Sequence, residues 1–115
     1  MKRTGRTLPR IVMHAFAVAM LHGCATVPLP MVDAVVTAMA HARDVPIDQV
    51  AHGRCLMVTS CVACHQPIQP SSLTFVAWQR ALPRMLEKSD LTSEDGRDIR
   101  AYVLVVQEVE RQARP

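Results

Sequence analysis

The sequence predicts an all-α fold, and three observations carry the prediction. Apolar residues recur at three- and four-residue spacing in four separate stretches. No stretch alternates convincingly between apolar and polar with a period of two, so no strand is expected. Proline- and serine-containing segments part the stretches and end helices. There is no internal repeat and no low-complexity segment.

Each element has its own signal. Residues 24–30, with Pro28 and Pro30, read as a short tether. Residues 31–43 predict a first helix, with Val32, Val35, Val36 and Met39 at helical spacing and Asp33, Thr37 and His41 on another face. Val45-Pro46 breaks it, and residues 31–47 form an N-terminal helix and loop ahead of the main domain, 48–115. A second helix runs from about Asp48, as N-cap, to Ser60. Residues 67–72 are a loop by composition. A third helix covers roughly Ser72 to Leu82, placing Phe75, Trp78, Leu82 and Met85 on one face. Pro83 predicts a kink or an end there, because its ring clashes with the carbonyl four residues back. Thr92-Ser93-Glu94-Asp95 starts a last helix, whose buried face carries Ile99, Tyr102, Val103 and Val106.

Upstream lies a targeting signal. Lys2, Arg3, Arg6 and Arg10 form a basic region ahead of Ile11 to Leu21, which is apolar except for His14. That run has the length of a signal-peptide core and is too short to span a bilayer. Leu21-His22-Gly23-Cys24 resembles a bacterial lipobox, departing from it at His22. The resemblance implies that residues 1–23 are removed and that the thiol and new amino group of Cys24 are lipidated. Several acyl chains would hold the protein firmly to a membrane. Ala25, where an inner-membrane address would have Asp, looks like an outer-membrane address, with the domain in the periplasm. An ordinary secretory peptide with a coincidental cysteine is the alternative.

Removing that signal changes the charge. Four of the 13 basic residues and none of the 10 acidic ones precede Cys24, leaving nine against ten, a net −1 in place of +3. Basic character therefore belongs to the signal, and no nucleic-acid partner is expected. A domain this small buries only about 60% of its unfolded surface or slightly more, so a cofactor filling its interior would matter for stability.

The chemistry centres on Cys61-Val62-Ala63-Cys64-His65. A thioredoxin-type redox pair wants a preceding strand and a βαβ context, and neither is visible. A structural zinc site wants a fourth ligand at compact spacing; Cys55 could be offered, but no second CxxC or HxxxH exists. Attachment of one c-type haem needs only what is present. Cysteines at i and i+3 face the same way on a helical turn and can add to two vinyl groups. His65 then falls under the iron as its proximal ligand. Such attachment is made in the periplasm, where the signal directs the chain.

Cys61 to His65 and its flanks resemble a class I, mono-haem cytochrome c domain in compact form, over about residues 48–107. Members place a glycine eight residues before the first haem cysteine, matched by Gly53. They place an aromatic four residues before it, where this chain departs with Met57. Their aliphatic-x-x-aromatic pair on the last helix is matched by Ile99 and Tyr102. Glycine lets the first and last helices of such a domain cross closely while the ring covers the crossing. Met57 can fill the vacated ring space, with iron ligation as its rival role.

Electron-transfer members usually add a methionine sulfur as sixth iron ligand, which raises the potential. Met85 is the one methionine after the motif, twenty residues beyond His65 and shortly past Pro83. The resemblance makes it the distal ligand; the bland alternative is a last core residue on the Phe75–Trp78–Leu82 face. His41, His52 and Lys88 are rivals, although His41 and His52 lie on polar faces. Trp78 is either core or, as in similar cytochromes, a contact to a haem propionate through its indole N–H. A proline or loop carbonyl after His65 is expected to accept its ring N–H. Arg80, Arg84 and Lys88 form a basic cluster, either a solvated face or a surface steering an acidic redox partner. Cys55 reads as a small packing residue against the first helix. The function expected is electron transfer with redox partner proteins. The competing readings are a catalytic or gas-binding haem with an open sixth site, and a non-haem envelope lipoprotein with a thiol or metal site.

Overall fold

Residues 27–115 are described in a computed structural model, and among them four α-helices and two short 3-10 turns occur with no strand. The signal segment 1–23, the lipidation candidate Cys24 and the first residues of the tether lie outside the described residues.

Helix α1 spans Ala34–Ala42. Asp33 caps it, its carboxylate accepting the N–H groups of Val35 and Val36 at 3.0 and 2.9 Å. Val36 and Ala40 are buried, while Val35 is exposed. The expected face is therefore narrower than its apolar residues. Val32, Val36, Met39 and Ala40 share one side, and Val35 points about a quarter-turn away. The helix ends in a Schellman motif: Asp44 takes φ 53°, Val45 N–H reaches the Ala40 carbonyl at 2.9 Å, and Asp44 N–H reaches that of His41.

Helix α2 spans Ile47–Thr59 and starts on Pro46, which needs no hydrogen bond for a missing N–H. Asp48 is not the N-cap; it sits in the first turn, where its charge suits the helix dipole. Helix α3 spans Phe75–Lys88, capped by Thr74, whose hydroxyl accepts Ala77 N–H at 3.1 Å. It runs on through Pro83 to Lys88, so of the kink or end expected there the end does not occur. A proline inside a helix costs about 3 kcal/mol. Burying Leu82 and packing Met85 and Leu86 on the core contributes a comparable amount, about 1.5–3 kcal/mol for each fully buried side chain. Pro83 itself faces solvent. The helix ends in a second Schellman motif, with Asp90 at φ 53° and Leu91 N–H on the Leu86 carbonyl at 3.0 Å.

Helix α4 spans Ser93–Gln112 behind a capping box made by Thr92 and Asp95. It is the central strut: α1, α2 and α3 all pack on it, α2 most extensively. Ile99, Tyr102, Val103 and Val106 are buried as expected, with Val105 beside them. At the α2–α4 crossing a Cβ on Gly53 would overlap the Asp98 carbonyl and stand 2.9 Å from the Ile99 nitrogen. The close approach expected of this glycine is present, and Tyr102 is fully buried next to it.

The stretch read as a tether is partly docked. Leu29 is buried, and the Pro30 carbonyl accepts both Arg54 Nε at 2.8 Å and the Tyr102 hydroxyl at 2.7 Å. Burial pushes the Tyr102 phenol up to about 12, keeping it a donor at neutral pH. Gln69 Nε2 holds the Val27 carbonyl at 2.8 Å. The α1 helix is likewise no free stalk: Val36 and Ala40 are buried, and Arg43 pairs with Glu108 on α4 at 2.5 Å.

Candidate functional site

After Thr59 the chain tightens. Ser60 N–H still reaches back four residues to Leu56, but Cys61–Ala63 forms a 3-10 turn and Ala63 N–H reaches back three. In 3-10 geometry side chains at i and i+3 eclipse, which brings Cys61 and Cys64 to the same side. Both line one cleft of about 320 Å³, together with His65. The opposite wall is a stripe of α3, Ala81, Arg84, Met85 and Lys88, at the spacing that shares a helix face. Cys61, His65 and Met85 also line a nearly closed apolar pocket behind, walled by Met57, Ile68, Trp78, Leu82 and Ile99. The open cleft is at the lower end of the size range of small-molecule sites.

His65 Nδ1 lies 2.7 Å from the carbonyl oxygen of Gln66. A carbonyl only accepts, so Nδ1 is the donor, and Nε2 is the ring nitrogen left free of that bond. The carbonyl that the sequence left unnamed is therefore that of Gln66, its chain neighbour. Burial pushes the Cys61 thiol up, and Cys64 nearby adds to the shift. A thiol so placed is not the low-pKa nucleophile a redox pair needs. Cys55, Cys61 and Cys64 are free thiols. Among the described residues no three His, Cys, Asp or Glu side chains converge as an ion-binding group, so no cage of protein donors is assembled for zinc.

Several sequence-based assignments change. Trp78 is buried, the core alternative named for it, and donates its indole N–H to the Pro70 carbonyl at 2.9 Å. His52 is not simply solvated: its Nδ1 is 2.7 Å from the Asp98 carboxylate across the α2–α4 crossing. That bond, strengthened by the carboxylate's charge, raises the His52 pKa above 6.5. Cys55 is exposed and not buried against α1. Met57 is buried in the core, the space-filling role expected of it. Of the three basic residues on α3, Arg84 and Lys88 reach the cleft and Arg80 does not line it. His41 is exposed.

Gln107 was missed by the sequence reading. Its side-chain amide donates to the carbonyls of Pro70 and Leu73 at 2.6 and 2.8 Å, and so fixes the loop that follows His65. The signal was a polar residue in phase with the buried Val103 and Val106. No protein-family model, curated protein or solved structure matches this chain.

Proposed function

We propose that this chain is a lipid-anchored periplasmic electron carrier of the class I cytochrome c type, holding one haem c through Cys61 and Cys64. The observation that carries the reading is the cleft shared by Cys61, Cys64, His65 and Met85. Its donor set suits that group: two thiols on one side of a turn, an imidazole with Nε2 unencumbered, and a soft thioether on the facing helix.

The residues divide the work. Cys61 and Cys64 would hold the group through two thioether links, each formed by adding S–H across a vinyl group, which needs no oxidant. His65 would supply the proximal nitrogen; its Nδ1–H bond to the Gln66 carbonyl fixes the ring and raises the basicity of Nε2. Met85, on the same cleft, would supply the sixth iron ligand, and a thioether there would raise the potential. Leu82, Ile68 and Met57 keep water from the inner side of the site. A haem held this way supplies a one-electron iron couple. Redox partner proteins exchange that electron, and the net −1 of the chain after Cys24 offers nothing to nucleic acid.

Absorption spectra of the oxidised and reduced full chain, matured in a host that ligates haem, test the proposal. A c-type spectrum that survives acid-organic extraction and is unchanged by carbon monoxide is expected. Loss of all colour on extraction overturns covalent attachment. Carbon monoxide binding by the reduced protein selects the open sixth site instead.

A further inference from the structure

We infer that Val27, Met31 and Val35 form an apolar seat on which the body rests against the lipid surface. The inference depends on the reading of Cys24 as the lipidated residue.

These three are 70%, 64% and 59% exposed, and they are half of the six large hydrophobic residues exposed among the described residues. Their clustering, not their exposure, is informative, since scattered exposed apolar residues are ordinary. They occupy nine consecutive positions beginning three residues after Cys24. Before α1, Val27 and Met31 are exposed while Leu29 between them is buried.

The segment is held and not loose. Gln69 grips the Val27 carbonyl, and Arg54 and Tyr102 both grip that of Pro30. The outward side chains are therefore presented by a fixed backbone. From Ala25 to Ala42 the one Asp, Glu, Lys or Arg is Asp33, and its carboxylate is engaged in capping α1. The two capping bonds reduce the cost of bringing the Asp33 carboxylate to a lipid interface.

Chain length selects the occupant. Three residues extend at most about 11 Å, so acyl chains on Cys24 in the bilayer hold Val27 within that distance of the acyl boundary. Interfacial apolar surfaces bury about 5–10 Å into that boundary, which matches. No described helix is long and apolar enough to cross a membrane, so the segment lies on the surface and does not span it. Residues 27–35 hold no Lys or Arg, and the Arg54 guanidinium beside them is engaged by the Leu29 and Pro30 carbonyls, so contact rests on apolar burial more than on anionic headgroups.

The test uses the full acylated chain in phosphatidylethanolamine–phosphatidylglycerol vesicles containing a photoactivatable lipid, with peptide mass mapping of the label. Label is expected on Val27, Met31 and Val35, and not on the equally apolar exposed residues Val62, Val76 and Leu104. Adding salt should leave it unchanged. In the Met31→Asp variant, and in the milder Met31→Ser should that one fail to fold, label at the strip should fall toward the level at Val62. Acylated protein labelled evenly over all six positions refutes the seat. So does a strip crosslinked to a second copy or another protein in place of lipid. An intact mass showing unmodified Cys24 instead refutes the anchor, and the seat with it.

Discussion

Gly53 on α2 lies directly on the backbone of Asp98 on α4, with no room for a β-carbon between them. Alanine would gain about 1 kcal/mol in helix propensity there. It would lose about 3 kcal/mol or more by forcing backbone apart, so sterics win. Gly53→Ala is expected to lower the unfolding free energy read from urea denaturation by a net ~2 kcal/mol. Gly96→Ala is the contrast: its new methyl meets the Leu86 Cδ1 atom at 2.5 Å, the end of a flexible side chain. It should be within about 1 kcal/mol of neutral.

The Pro30 carbonyl links the N-terminal segment to two distant residues. Removing the hydroxyl in Tyr102→Phe should cost about 1 kcal/mol. Limited proteolysis should cut residues 27–33 sooner than in the parent. Combining it with Arg54→Met should show coupling, because both donors serve one oxygen. Strict additivity of the two effects would show that the shared acceptor is energetically unimportant.

Two ion pairs give opposite pH dependences. The His52 pKa is raised in the folded protein by Asp98. Its stabilisation is complete below the unfolded value of 6.5 and fades as pH climbs through the raised folded value. Glu108, bonded to Arg111 and Arg43, is lowered from 4.5 to about 2. Its stabilisation is present above 4.5 and fades as pH falls toward 2. Denaturation midpoints should therefore decline on both sides. His52→Asn should flatten only the alkaline decline, and Glu108→Gln only the acid one.

Met85→Ala is expected to abolish any sulfur-to-iron charge-transfer band and to let reduced protein bind carbon monoxide. Because Met85 is only partly buried, the fold should survive with a loss of about 2 kcal/mol. An unchanged band would remove the distal assignment while leaving Cys61, Cys64 and His65 in place.

The helices and the glycine crossing were legible because they rest on local periodicity and on one residue type with one steric property. What stayed hidden depends on partners far away in sequence. His52 meets Asp98 across 46 positions, and Tyr102 meets Pro30 across 72. Trp78 gave no hint that Pro70 would take its N–H. Pro83 misled for a related reason: the rule that it breaks helices weighs only its own turn, whereas Leu82, Met85 and Leu86 hold the next one. The pentapeptide Cys61 to His65 stood out as a motif, but only the structure sets it on one cleft with the Met85 face of α3.

Asp44 and Asp90 terminate their helices in a left-handed conformation that glycine adopts without penalty. Two tail-end residues are therefore held where their own side chains disfavour it, and neither is itself among the residues lining the cleft. Glycine at both would release strain of the order of 1 kcal/mol apiece. The sequence thus keeps untapped tolerance at two peripheral bends, enough to offset a mutation at the crossing without touching a sulfur or an imidazole.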